Sequence, residues 1–237
     1  MSTRLRLFPL NAVLFPGAVL NLHVFEPRYK QMIGECIESG ENFGVVLIRD
    51  GREAGDPSVE PHQIGSVAEI VEVSQLPFGR FYISAIGRQR FRIRSIVSRE
   101  PYLTVDADIL EDKNGNDGES VQLQDDVRDA FLQYLDLIVQ FSGQQSSVDL
   151  PADPQSVSYA VGDALQVADS IKQRLLELDS TKQRLRAELG CLERLLPQLR
   201  ELLQRREQEL QARKERGDDQ ERRGEQERYF GKYFSVN

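Results

Sequence analysis

Hydrophobic periodicity changes once along this 237-residue chain, and that change limits the fold more than any other feature. Up to about residue 110, apolar residues alternate with polar ones, as on half-buried strands. After residue 120 they recur three and four apart, as on one face of a helix. The segment between, Glu-Asp-Lys-Asn-Gly-Asn-Asp-Gly-Glu-Ser at 111–120, is polar, carries two glycines and reads as a linker. A β-rich first part followed by a helical second part predicts an α+β chain.

Within the first part, strands are predicted at Arg4–Leu10, Val19–Phe25, Phe43–Ile48 and Ile64–Leu76, then at Arg80–Ile86, Arg88–Val97 and Tyr102–Leu110. Pro77-Phe78-Gly79 turns the longest of them into a hairpin. One helix interrupts the series. It opens at Glu26-Pro27, shows Tyr29, Ile33, Cys36 and Ile37 on one stripe, and stops at Ser39-Gly40. Strands at this spacing predict a small closed or half-closed barrel. In the second part, Val127, Phe131, Leu135 and Ile138 form a stripe. Asp153-Pro154 and Ser180-Thr-Lys-Gln183 read as helix starts. Leu185, Leu189, Leu192, Leu196, Leu199 and Leu203 make a heptad seam, which is either bundle core or a self-association stripe. Pro197 lies inside that seam and predicts a kink or a join. Arg205–Arg228 is almost wholly charged, and Tyr229, Phe230, Tyr233 and Phe234 follow as candidates for docking a partner.

Charge narrows the function classes. Residues 111–200 hold 16 acidic and 9 basic side chains, within a chain of net charge −8. An acidic middle repels phosphate backbones, so nucleic acid is an unfavoured partner. Two cysteines far apart, Cys36 and Cys191, argue against a disulfide framework or a thiolate metal site. Neither a signal sequence nor an apolar run of membrane-spanning length is apparent, so a cytoplasmic location is expected. His23 and His62 are the only histidines, and no nucleophile–base constellation or phosphate-cradling G-x-x-x-x-G-K-[ST] occurs. No catalytic residue, metal or cofactor is therefore assigned.

Several motifs resemble a known family. Leu7-Phe8-Pro9-Leu10, Val13-Leu14-Phe15-Pro16-Gly17 and Leu20-Asn-Leu-His-Val-Phe25-Glu26-Pro27-Arg28-Tyr29 resemble the opening of Lon proteases and of free-standing Lon-domain proteins. Phe43-Gly44-Val45-Val46, Ile64-Gly65, Phe78-Gly79-Arg80 and Gly87-Arg88-Gln-Arg90-Phe91-Arg92-Ile93 are similar to its later elements, in order. The resemblance implies a PUA-like β-barrel with one inserted helix at 1–112, then a C-terminal helical bundle with a long last helix at 121–204. A charged extension or tail follows at 205–237. It further implies a stand-alone substrate-binding domain without the ATPase and peptidase, which binds unfolded or tagged polypeptides. The alternative is a regulatory or structural partner of another protease or chaperone machine, full-length Lon among the candidates, docking through the C-terminal helices. A third and less favoured reading is an RNA-binding PUA-like protein.

Four groups of residues are candidate sites. Phe15 and Val19 are the expected exposed members of an apolar stretch that could add an extended peptide to a sheet edge. Glu26, Arg28 and Tyr29 could present charge and hold a peptide backbone, or Glu26 could simply cap its helix while Arg28 pairs with a neighbour. Arg88, Arg90, Arg92 and Arg94 recur every second residue. They could bind acidic peptides or RNA, or form a solvated outer face paired with Glu69 or Glu72. The aromatic tail is the fourth group.

Overall fold

The computed structural model of the chain describes residues 2–51, 59–113, 115, 117–143 and 149–216. Seven strands and five α-helices follow one another as β1 (Ser2–Leu10), β2 (Val19–Val24), α1 (Pro27–Ser39), β3 (Phe43–Asp50), β4 (Glu60–Pro61), β5 (Ile64–Leu76), β6 (Arg80–Ser98), β7 (Thr104–Leu110), α2 (Gly118–Ser142), α3 (Pro154–Ala164), α4 (Asp169–Glu177) and α5 (Thr181–Arg216). The strands form one sheet in the order β1-β7-β6-β5-β3-β4, and β2 adds to β6. A parallel pairing of β1 with β3, Leu7 opposite Gly44 through Leu10 opposite Leu47, joins the two ends and closes a barrel. Closure removes most sheet edges.

Alternation along the strands divides the apolar residues between two cores. Leu5, Leu7, Val46, Val67, Phe91, Val105 and Ala107 fill the barrel. The space is tight: a Cβ at Gly44 would lie 2.4 Å from the Leu7 side chain and 2.8 Å from the Phe91 ring, so only glycine lets that ring lie flat on β3. Outside the ring, Phe8, Phe43, Val45, Ile83 and Ala85 pack with Tyr29, Met32, Ile33 and Cys36 of α1. Burial pushes the Cys36 thiol up to about 11, so it behaves as an inert core group. Arg6 of β1 fastens the helix to the barrel. Its Nη1 donates to Glu41 at 2.6 Å, and its Nε donates to Glu35 and Tyr102 at 3.3 Å each.

Arg80–Ile86 and Arg88–Val97 were expected as separate strands, but β6 runs unbroken for 19 residues. Gly87 does not end it, because the chain passes within contact of another backbone there. A Cβ at Gly87 would fall 2.2 Å from the Phe15 carbonyl oxygen. Pairing with β5 instead shifts register between Ser66–Arg90 and Ala68–Gly87, as a bulge does.

By backbone proximity, the chain divides into two compact units. Of the described residues, one holds those within 1–124 and 150–185, and the other those within 125–143 and 186–216, with 149. Helices α3 and α4 fall in the unit that holds the barrel. Their start is encoded locally: the Asp153 carboxylate accepts from the Ser156 N–H at 2.9 Å, with Pro154 in the first turn. Ser180 precedes α5 and accepts weakly from the Gln183 N–H at 3.4 Å. In the other unit, Val127, Phe131 and Tyr134 of α2 are buried, as are Leu192, Leu196, Leu199 and Leu203 of α5. Pro197 removes one N–H from α5, yet the helix is continuous from Thr181 to Arg216. Among the described residues, no helix is long and apolar enough to cross a membrane.

Candidate functional site

Beyond the barrel wall, the second half of β5 and the first half of β6 continue as a hairpin, and β2 lines its other side. The result is a three-stranded arm. Its cross-strand rows follow from the register: Val19–Ile86–Glu69, Asn21–Ser84–Glu72 and His23–Tyr82–Ser74 share one face. The intervening residues Leu20, Leu22, Val24, Ile70, Phe81, Ile83 and Ala85 face the core under α1. The first face meets solvent and is unusually apolar for that position. Val19 is 63% exposed, Phe25 57% and Tyr82 54%. Rings gather toward the hairpin end, where His23 stacks on Tyr82 at 5.6 Å between centroids and lies 5.7 Å from Phe25. Polar groups in the middle are tied to each other, with the Ser84 hydroxyl donating to Asn21 Oδ1 at 2.5 Å. Glu69 accepts from Arg88 Nε at 2.6 Å, and this bond holds its carboxyl below the usual range.

Among the described residues β2 pairs only with β6, so its outer edge has no partner strand. Six residues of edge are available, bounded by Pro16-Gly17 before and Glu26-Pro27 after. An apolar edge of this kind offers backbone N–H and C=O groups to another chain.

The structure places the expected site residues unevenly. Val19 is on the arm's open face. Phe15 is fully buried, contrary to expectation, and lies 6.4 Å from the Tyr159 ring. Its side chain is wholly buried and its carbonyl abuts Gly87, so it is core. Tyr29 is also core, stacked on Phe8 at 4.0 Å. Glu26 occupies the N-cap position of α1 but makes no side-chain cap bond. It accepts instead from Arg28 Nε at 3.1 Å, and the Arg28 guanidinium lies over the Tyr29 ring at 4.5 Å. These three residues therefore brace the turn that leads from β2 into α1. Tyr229, Phe230, Tyr233 and Phe234 lie outside the described residues.

The four arginines do not form one solvated ladder. Arg88 pairs with Glu69 as expected, and Arg94 pairs with Asp108. Arg92 is exposed. Arg90 is only 1% exposed, because the carboxyl end of α4 covers this part of β6. Its Nη1 donates to the carbonyls of Leu176 and Leu178 at 2.9 and 2.8 Å, and its Nη2 donates to Asp112. The opposite oxygen of Asp112 accepts from Arg184 Nη2 and from the Thr181 hydroxyl, while Tyr159 donates to the first oxygen at 2.7 Å. Arg184 also stacks over the Tyr159 ring at 4.0 Å.

Asp112 therefore corrects the reading of 111–120 as a simple linker. Its end nearest the barrel is stitched to the start of α5, with Lys113 N donating to Asp179 O at 2.8 Å. Burial disfavours the Asp112 carboxylate, but Arg184, Tyr159 and Arg90 outweigh it and hold its pKa below the usual range. Burial pushes the Tyr159 hydroxyl up to about 12. No local pattern signals this cluster, since its partners lie 22, 47 and 72 residues from Asp112. The open face was more accessible to sequence reading. Val19, Asn21, His23 and Phe25 alternate with the partly buried Leu20 and Leu22 and the buried Val24, although from the sequence only Val19 among them is expected to be exposed.

Comparison with known proteins agrees with this architecture. Residues 4–194 match the family model of the ATP-dependent protease La (LON) substrate-binding domain. The chain is 29% identical over 189 residues to the Lon protease of Flavobacterium johnsoniae, covering 78% of this chain and 23% of that protein. It is 33% identical over 104 residues to the Lon protease of Parabacteroides distasonis, covering 43% and 12%. A crystal structure of a Lon N-terminal domain protein from Xanthomonas campestris superposes with a TM-score of 0.60 at 26% identity, covering 79% of this chain and 98% of that one. The N-terminal domain of a Mycobacterium avium complex Lon protease gives the same TM-score at 16% identity, a likeness of fold alone. The chain spans about a quarter of the Flavobacterium protein, 23% of its length. Sequence motifs, a closed barrel with one inserted helix, and these matches agree: the chain belongs to the Lon substrate-binding domain family.

Proposed function

We propose that the chain binds extended, unfolded segments of other polypeptides along β2, without chemistry of its own, and holds or delivers them to a partner machine. The observation that carries this reading is the pairing of an open strand edge with an apolar, aromatic face. An extended segment laid beside β2 gains main-chain hydrogen bonds from the edge and apolar contact from Val19, Tyr82 and Phe25. Main-chain bonding is blind to sequence, which suits a receptor for many clients. Family membership supports the same class of ligand. The partner that this family suggests is an ATP-dependent protease of the Lon type.

Fluorescence anisotropy with one labelled model polypeptide, in unfolded and folded forms, tests the proposal. Tighter binding of the unfolded form, insensitive to salt and weakened by Tyr82→Ala, is the expected result. Equal affinity for the two forms would overturn it.

A second reading has one supporting observation. The last buried leucine of α5 is Leu203, and Leu210 beyond it is 44% exposed. That end of the helix would then dock onto another machine. Removing residues 205–237 separates the readings, because client binding persists under the first and docking is lost under the second.

A further inference from the structure

We infer that Phe78, at the tip of the arm, is the aromatic anchor that fixes one end of a bound segment. This rests on the reading of the arm as a polypeptide site and adds a specificity determinant to it.

Three observations lead to Phe78. It is 88% exposed, more than any other large apolar side chain among the described residues. Its backbone is left-handed, at φ 65° and ψ 28°, a conformation that disfavours any residue with a Cβ. Glycine or asparagine would meet this turn at less strain, so neither burial nor turn geometry accounts for a phenylalanine. Finally, the tip is braced. Lys30, in the first turn of α1, donates to the Phe78 carbonyl at 3.0 Å, and Arg80 Nε donates to the Pro77 carbonyl at 3.1 Å. A large ring is thus held in water on a strained but fastened backbone. Such strain persists where the surrounding structure enforces it, and it concentrates at ligand clamps.

The occupant is set by what leads to the tip. β2 runs antiparallel to β6 with Val24 opposite Phe81, so it points toward the hairpin end. A segment added to β2 follows the same course, past Phe25 and toward the hairpin end. The middle row carries Glu72, whose carboxylate is exposed, and the first row carries Glu69. Glu69 is already paired with Arg88, so it is the exposed Glu72 that disfavours an acidic side chain beside it. The fitting ligand is an extended segment free of carboxylates, with an aromatic side chain at the end nearest Phe78. Ring-on-ring contact there adds to strand pairing.

The test uses the full chain and two labelled synthetic peptides without carboxylates, one alternating phenylalanine with serine and the other valine with serine. Phe78→Gly and Phe78→Asn both delete the ring while tolerating the left-handed backbone. Each should weaken the phenylalanine peptide about tenfold and the valine peptide much less. Phe78→Tyr should restore binding. Relief of strain and the greater unfolded freedom of glycine oppose each other, so the melting temperature should stay within about 2 °C. Parental affinity in both variants, with binding still lost in Tyr82→Ala, would overturn the anchor and leave the arm site standing. If Tyr82→Ala also binds normally, both ideas fall. A change in oligomeric state by sedimentation, with peptide affinity unaltered, would assign Phe78 to a contact between copies and overturn the inference.

Discussion

The two halves of β6 have opposite surroundings. Around Arg90, nearly every polar group has a partner: one carboxylate, two helix-end carbonyls, a hydroxyl and an aromatic face meet within a water-excluded cluster. Around Tyr82, a few residues earlier on the same strand, apolar rings face water and the neighbouring strand has an open edge. Both halves share one backbone and one register system. What differs is the cover on the outward face: α4 and the start of α5 close over one half, while the Tyr82 face of the other half, opposite α1, has no cover among the described residues. The comparison teaches where to expect stability and where to expect binding. Interactions that are complete within the chain hold the fold, while those left incomplete are available to a ligand.

Breaking the closed half should have the larger effect. Asp112→Ala leaves Arg90 and Arg184 buried without their shared carboxylate, and should cost about 3–5 kcal/mol in denaturant unfolding. A loss below about 1 kcal/mol would mean that water enters the cluster and that the halves differ less than described. Acid probes the same group. Its folded pKa is depressed, so its contribution is fully present above the unfolded value of about 3.9 and is lost as pH falls through the lower folded value. Parent protein should therefore lose stability below about pH 4, and Asp112→Asn should flatten that part of the curve. Tyr82→Ala, on the open half, should change stability by no more than about 0.5 kcal/mol while weakening unfolded-polypeptide binding about tenfold. If it unfolds the protein instead, the arm is core and the contrast fails. Arg88→Ala removes only an exposed pair with Glu69 and should leave the unfolding midpoint where it was.

The sequence made the open half easier to read than the closed one. Period-two alternation placed β2 and both sides of the hairpin, and Pro77-Phe78-Gly79 placed the tip. Helix starts at Pro27, Pro154 and Thr181 were legible because capping and proline preferences act over three or four residues. A closed or half-closed barrel was legible from strand spacing, but the parallel β1–β3 pairing that closes it was not, because Leu7 and Gly44 carry no mark that they pair. The Asp112 cluster was hidden for a related reason. Its residues lie in a polar stretch, on a strand that reads as solvated and in the first turn of a helix, and only the tertiary fold gathers them. Phe15 misled by composition, since an apolar residue beside Pro16-Gly17 reads as an exposed member of its stretch until the backbone of Gly87 is found against it. Arg90 misled by periodicity, which gives the face a residue is on and not what lies over that face.

The parallel seam between β1 and β3 has a consequence for synthesis of the chain. Arg4 and its partner Asp106 are 102 positions apart, whereas Leu7 and Gly44 are much nearer along the chain. A ribosome exposes β1 and β3 long before it reaches β7. For that interval the Ser2–Arg6 stretch has no strand on its β7 side, and the interior that Phe91 later fills stands open. The nascent barrel is therefore an incomplete sheet with a sticky border, and it becomes self-contained only when residues 104–108 emerge from the exit tunnel.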